Sequence, residues 1–261
     1  SRASRFPTSR RRPRPVTNIT DPAAFLPPRD RLVHVLARRV DLCYTCSQQT
    51  TIWGILVQIV CLDLEGVLVP EVWIAVAERF EVAELRLTTR DVSDYDELME
   101  HRIRTLRSEG ITLTDIQETI GGLAPLEGAR EFLDTLRENT QVIILSDTFE
   151  QFASPLMKQL GRPTIFCNEL FADEEGYVSH YRLRQADGKR RAVLALHSIG
   201  FEVTAVGDSY NDLTMIQTAD FGALFRPPKS ITEEYPTLPS FEDYDGLLGF
   251  LLADTRADRT L

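Results

Sequence analysis

Gln58-Ile-Val-Cys-Leu62 runs straight into Asp63-Leu64-Glu65-Gly66-Val67, an apolar stretch that ends on two carboxylates. A strand buried on both faces of a parallel sheet reads this way, because nothing along its length meets water until the chain leaves the sheet. Asp63 and Glu65 stand two residues apart, so in a chain leaving a strand they face the same side. The pattern returns twice: Gln141-Val-Ile-Ile-Leu145 is followed by Ser146-Asp147, and Val203-Thr-Ala-Val206 by Gly207-Asp208. Helical stretches, Glu127 to Glu138 and Gly188 to Ile199, separate the three. Strands alternating with helices predict an α/β fold built on a doubly wound parallel sheet. The three polar strand ends should meet at one ligand crevice.

Residues 71–125 interrupt the alternation with helices alone. Val72, Trp73, Val76 and Phe80 form one apolar stripe, and Thr114-x-x-Gln117 reads as a capping box opening a helix that Gly121-Gly122 ends. A further helix, starting near Ser93, carries Tyr95, Leu98, Met99 and Leu106 on one face with Arg102 in their midst. A guanidinium on an apolar face needs an anionic partner or a cavity, unless it snorkels past the edge of the core. We read 71–125 as a helical cap over the crevice and 57–70 with 126–261 as the core. Phe166 to Gln185, turning at Glu174-Glu175-Gly176, reads as a β-hairpin extension of the sheet.

Around this body the composition is that of an ordinary globular protein: 261 residues, 43 % hydrophobic and 26 % charged. The longest apolar run, Ile52 to Leu62, is broken by Gln58 and falls far short of the roughly 20 residues a membrane-spanning helix needs. The net charge of −10 conceals a basic start, since residues 1–56 hold ten arginines against three aspartates. The strongly acidic remainder repels phosphate backbones, which argues against nucleic acid as a partner, and no membrane partner is expected. Up to about Pro28 the chain is rich in Arg, Pro, Ser and Thr, which predicts disorder, with one short helix from Arg31 to Cys43 on Leu32, Leu36 and Val40. A transit peptide, a nucleic-acid-binding arm and a non-native extension compete for this segment. We favour the third. The three methionines are Met99, Met157 and Met215, and Val57, at the start of the first strand, is what a GTG start codon gives in naive translation.

Cys43, Cys46, Cys61 and Cys167 are too few and scattered for a disulfide scaffold, and Cys43-x-x-Cys46 lacks a second pair for a metal site. A reducing, cytoplasmic setting is the default. His34, His101, His180 and His197 share no ligand spacing and fit surface positions better than a zinc site. There is no Gly-x-Gly-x-x-Gly, Walker loop or His-Glu-x-x-His.

The acids are therefore the candidate chemistry. Asp63 with Glu65 alone fits a solvated turn, Gly207-Asp208-Ser-Tyr-Asn211-Asp212 a capped helix start, and Ser146 a plain cap. Together at three parallel strand ends, with Lys189 available, they form a constellation. Carboxylates crowded in one crevice repel unless a divalent cation neutralises them, and hard oxygen ligands suit Mg²⁺.

Asp63-Leu64-Glu65-Gly66-Val67, Ser146, Lys189 and Gly207-Asp208-x-x-Asn211-Asp212 stand in the order of the four motifs of the haloacid dehalogenase (HAD) superfamily of phosphatases. From about Val57 to Leu247 the chain resembles that family, and the helical insert looks like the cap of its phosphoserine phosphatase branch. The second acid of the first motif is usually Asp; here it is Glu65. That variant, with Leu68-Val-Pro-Glu71, Thr88-Thr-Arg-Asp-x-x-x-Tyr95 and Ile144-Leu-Ser-Asp-Thr-Phe149, resembles the bifunctional phosphoserine phosphatase/homoserine phosphotransferases.

The resemblance implies a HAD-type Rossmann-like sheet and a set of roles. Asp63 would be the catalytic nucleophile, forming an aspartyl phosphate, and Glu65 the acid and base. Mg²⁺ would be held by Asp63, the backbone carbonyl of Glu65 and Asp208. Ser146, Asp147, Lys189 and Asn211 would bind the substrate, with Asp212 orienting Lys189 or a water. Glu71 would pair with a substrate ammonium and Arg102 with its carboxylate. The implied partners are small molecules, L-phosphoserine and homoserine as a second acceptor, while a monomer and a homodimer both stay open. Two other readings compete: a HAD phosphatase whose cap admits a different phosphomonoester, and a non-enzymatic module whose Arg-rich N-terminus binds nucleic acid or anionic membrane. The intact motif set argues against the second.

Overall fold

The structure, a computed structural model, describes residues 57–88, 91–92 and 94–253. The expectations for residues 1–56, including the helix from Arg31 and the Cys43/Cys46 pair, lie outside the described residues. So do Thr89, Arg90, Ser93 and the last eight positions.

Seven strands form one sheet: β1 (Val57–Leu62), β2 (Gln141–Phe149), β3 (Ile165–Ala172), β4 (Val178–Arg182), β5 (Phe201–Gly207), β6 (Phe221–Phe225) and β7 (Ser240–Phe241). Their order is β4-β3-β2-β1-β5-β6-β7, and every neighbouring pair is parallel except β3 with β4. The helices are α1 (Val72–Phe80), α2 (Tyr95–Ser108), α3 (Leu113–Gly121), α4 (Ala129–Asn139), α5 (Glu150–Gln159), α6 (Gly188–Ser198), α7 (Leu213–Thr218), α8 (Lys229–Glu234) and α9 (Tyr244–Leu251).

The apolar strands are apolar because both faces of the sheet are covered. Val60 and Leu62 of β1 enter one core cluster with Ile144 and Val206, while Ile59 and Cys61 enter the other with Ile143, Leu145, Val203 and Ala205. Such depth pushes the Cys61 thiol up to about 12. β1 lies between β2 and β5, so the chain runs to opposite sides of it; the crevice outside the carboxyl ends of β1 and β5 is the switch point of a doubly wound sheet. No helix of the described residues is long and apolar enough to cross a membrane.

The insert is helical, as its periodicity implies. Asp94 caps α2, its side chain accepting from Asp96 N and Glu97 N. For α3 the capping box is not Thr114-x-x-Gln117. It is Thr112 with Asp115: the threonine Oγ1 accepts from Asp115 N at 3.2 Å and the Asp115 carboxylate accepts from Thr112 N at 2.8 Å. Both triplets fit the sequence pattern, but Ile111 is buried and ends the preceding turn, which places the cap at Thr112. Val72, Met99, Leu106 and Ile116 of the insert share one core with Phe152 and Leu156 of α5. The hairpin forms as expected, with Gly176 in its turn at φ +89°.

Candidate active site

β1 ends at Leu62, and the next residue, Asp63, donates its N–H to Val206 O of β5 at 2.9 Å. This backbone bond carries the ladder one residue beyond the strand and points the Asp63 carboxylate into the crevice, 6 % exposed. β5 delivers Asp208 and, one short 3₁₀ turn later, Asp212, whose side chain is fully buried. One oxygen from each of Asp63, Asp208 and Asp212 lies within 4.8 Å of the others.

Two glycines make that approach possible. Gly66 sits at φ +74°, and a Cβ there would stand 2.4 Å from the Asp208 carboxylate. A Cβ on Gly207 would fall 2.2 Å from Asp212 Cγ.

Lys189, at the start of α6, is the counter-charge. Its Nζ lies 2.7 Å from Asp212 Oδ1, 3.0 Å from Asp63 Oδ1 and 3.6 Å from Asp147 Oδ2. Burial alone pulls this ammonium down, but Asp212, Asp63 and Asp147 outweigh it and hold it well above its ordinary range. One lysine cannot satisfy the acids it faces. Burial, then the charges of Asp212 and Asp208, push the Asp63 carboxyl well above the carboxylate range despite Lys189. Burial with Asp212 and Glu71 pushes Asp208 up to about 7.

The three acids are not equivalent. Asp212 spends Oδ1 on Lys189 and Oδ2 on Asp208 N, Ser209 N and Ser209 Oγ, each at 3.1 Å. It is a brace. That leaves Asp63 and Asp208 with oxygens to offer, and uncompensated carboxylates of this kind suit a hard divalent cation such as Mg²⁺.

Glu65 sits apart from this cluster. Its Oε2 accepts from Val72 N at 3.0 Å, so the carboxyl rests on the N-terminus of α1, with Thr148 and Glu71 beside it. Burial and the Glu71 charge push it up to about 7. A metal contact from Glu65 would thus involve its backbone, as the family resemblance implies.

Ser146 is not a helix cap. It lies inside β2, which runs on to Phe149, and its Oγ accepts from Thr148 N at 3.2 Å. Arg102 does not snorkel either. At 6 % exposure its Cζ stands 4.3 Å over the Trp73 ring, and Nη2 donates to Leu87 O at 2.7 Å. Among the described residues its buried Nε has no hydrogen-bond partner. Burial lowers this guanidinium to about 10.

Asp63, Glu65, Glu71, Arg102, Ser146, Asp147, Lys189, Asp208 and Asn211 all line one cavity of about 210 Å³. Thr148, Trp73, Thr88, Tyr95 and Ser209 line it or bond to its acids without having been singled out in the sequence as site residues. Thr148 had a signal: it stands two residues from Ser146 along a strand, hence on the same face. Trp73 meets Arg102 only when α1 packs on α2. Among the described residues no histidine lines this cavity: His180 stacks on Phe171 and His197 pairs with Asp220, whereas His101 is half-buried rather than a surface residue.

The model of the haloacid dehalogenase-like hydrolases matches residues 57–220. A phosphoserine phosphatase of Pseudomonas syringae is 54 % identical over 191 residues, 73 % of this chain and 81 % of its own length. Phosphoserine phosphatase ThrH of Pseudomonas aeruginosa is 52 % identical over 201 residues, 77 % of this chain and 98 % of its own. Among solved structures, a T. onnurineus phosphoserine phosphatase superposes with a TM-score of 0.57 at 24 % identity, covering 76 % of this chain and 95 % of that one, a likeness of fold.

Proposed function

The chain belongs to the haloacid dehalogenase-like hydrolases, and on that premise we propose that it is a Mg²⁺-dependent phosphoserine phosphatase that also passes the phosphoryl group to homoserine. The observation that carries this reading is a single cavity lined by Asp63, Asp208, Ser146 and Lys189 and also by Glu71 and Arg102, whose Nε has no partner among the described residues. A phosphomonoester of a small α-amino acid carries the charges that match these groups. The relatives' names, phosphoserine phosphatase and ThrH, point the same way.

Asp63 attacks the phosphorus in line, the serine oxygen departs with the proton of Glu65, and an aspartyl phosphate remains. Among the described residues only Oδ1 of Asp63 takes donors, Leu64 N at 2.7 Å and Lys189, so Oδ2 is the oxygen with freedom to react. Glu65, now ionised, takes a proton from water or an alcohol, which attacks the phosphorus and releases Asp63. Lys189 and Ser146 hold phosphoryl oxygens whose charge grows in the transition state. Mg²⁺ would be held by Asp63, Asp208 and the Glu65 carbonyl, where it would offset the charge on the phosphoryl oxygens.

Homoserine keeps the ammonium and carboxylate that Glu71 and Arg102 read and is one methylene longer than serine, a difference worth about 1–3 kcal/mol in a pocket. Bound there, its hydroxyl gains an effective concentration over that of a free alcohol. The test is release of phosphate from L-phosphoserine with and without Mg²⁺, with O-phosphohomoserine measured as homoserine is raised. Metal-dependent release and a product ratio that climbs with homoserine are expected. No phosphohomoserine at saturating homoserine reduces the reading to hydrolysis. Faster turnover of another phosphomonoester favours a different HAD phosphatase.

A further inference from the structure

A second cavity, about 630 Å³, opens beside the first. It meets the phosphoryl end through Ser146, Asp147, Lys189 and Asn211, and it extends past Phe166, Leu183 and Tyr210, each more than a third exposed. Its volume is that of a site for a molecule much larger than an amino acid. Of all described residues in 71–125, Tyr95 alone lines both cavities.

We infer that the Tyr95 ring is the wall that sets the size of the leaving group, and that the β3–β4 hairpin exists in part to hold it there. This inference rests on the phosphatase reading of the first cavity. Tyr95 opens α2, and Tyr181 of β4 meets it edge-on at 5.9 Å while leaning on the fully buried Phe149 at 6.3 Å. The Tyr181 hydroxyl donates to Asp96, the residue after Tyr95. At the hairpin turn Arg107 of α2 bonds Asp173 and Glu175 and lies 4.9 Å over the Tyr177 ring, while Leu113 N donates to Gly176 O at 2.9 Å. The hairpin therefore grips α2 along its length, and the grip ends at Tyr95. On this inference the ring narrows the opening between the two cavities, so a substrate in the first extends toward Glu71 and Arg102. Without it, the two cavities become one, and a bulky phosphomonoester fits.

The inference is about the ring, so the hydroxyl is dispensable. The test compares kcat/KM for L-phosphoserine and for p-nitrophenyl phosphate in the parent chain and in Tyr95→Ala, Tyr95→Leu and Tyr95→Phe. Tyr95→Ala and Tyr95→Leu should lose about tenfold or more on phosphoserine, mostly through KM, while p-nitrophenyl phosphate holds or improves, and Tyr95→Phe should restore the parent's preference. Tyr181→Ala, which removes the support without touching the cavity, should shift the preference in the same direction by a smaller factor. Equal losses on both substrates in the Ala and Leu variants would overturn the inference, as would an unchanged preference or a Phe variant that behaves like Ala. The parent's own phosphoserine turnover decides the phosphatase reading separately, since the inference is read only from variant-to-parent ratios.

Discussion

Asp63 combines burial, proximity to two other acids and a single lysine to share with them. Replacing it by Asn keeps the shape and the Lys189 contact but removes the attacking oxygen. Asp63→Asn should drop phosphoserine turnover by several orders of magnitude with the fold intact, because a nucleophile cannot be replaced by positioning alone. Near-parent turnover in that variant, with an unchanged thermal transition, would exclude the aspartyl phosphate. Lys189 is costlier to touch: removing one partner of a buried charge set typically costs about 3–5 kcal/mol, so its loss would confound stability with catalysis. At this scale the sequence was informative wherever a polar residue followed an apolar run, as Asp63, Ser146 and Asp208 do, although Ser146 lies inside β2 rather than at its end. It was silent on Trp73, whose role depends on α1 packing against α2, whereas the spacing of Thr148 from Ser146 was a signal left unread. The division of labour among the acids was likewise out of reach, because Asp212 becomes a brace only through three donors from the turn that precedes it.

Among the elements, apolar runs located β1, β2 and β5, since both faces of these strands are buried and only long apolar runs satisfy that, while β6, β7, α5, α8 and α9 carried no reading. Helix starts were harder to place. Thr114-x-x-Gln117 satisfied the capping pattern as well as Thr112-x-x-Asp115 did, and the choice lay with where Ile111 is buried. Substitution separates the two. Thr112→Ala should destabilise the protein by about 1 kcal/mol, lowering Tm by roughly 2–4 °C at this chain size, whereas Thr114→Ala at an exposed site should stay within about 0.5 kcal/mol. A larger loss at Thr114 than at Thr112 would return the cap to the position its sequence pattern suggested. β2 also ran longer than its apolar stretch: Ser146, Asp147 and Thr148 keep strand geometry and all three line the cavity, where the pairing with β3 is irregular.

For the whole molecule, the family match begins at Val57, and β1 begins there too with its pairing to Phe201. A chain beginning at Val57 should therefore fold and keep its phosphoserine turnover, checked by circular dichroism and by the rate per mole. Loss of either would make residues 1–56 part of the working protein. The place of β1 in the middle of the sheet has a consequence in time. Its hydrogen-bonding partner on one side lies in β5, 144 residues further along where Gln58 meets Glu202. Long-range parallel pairing of this kind is slow, and during synthesis one edge of β1 stays open until β5 has left the ribosome. Asp63 is among the first residues of the described body to be made, yet Asp208 joins it only when most of that body has emerged. A nascent chain stalled before β5 would carry Asp63 and the insert but no crevice, and a bare apolar strand edge for other chains to find.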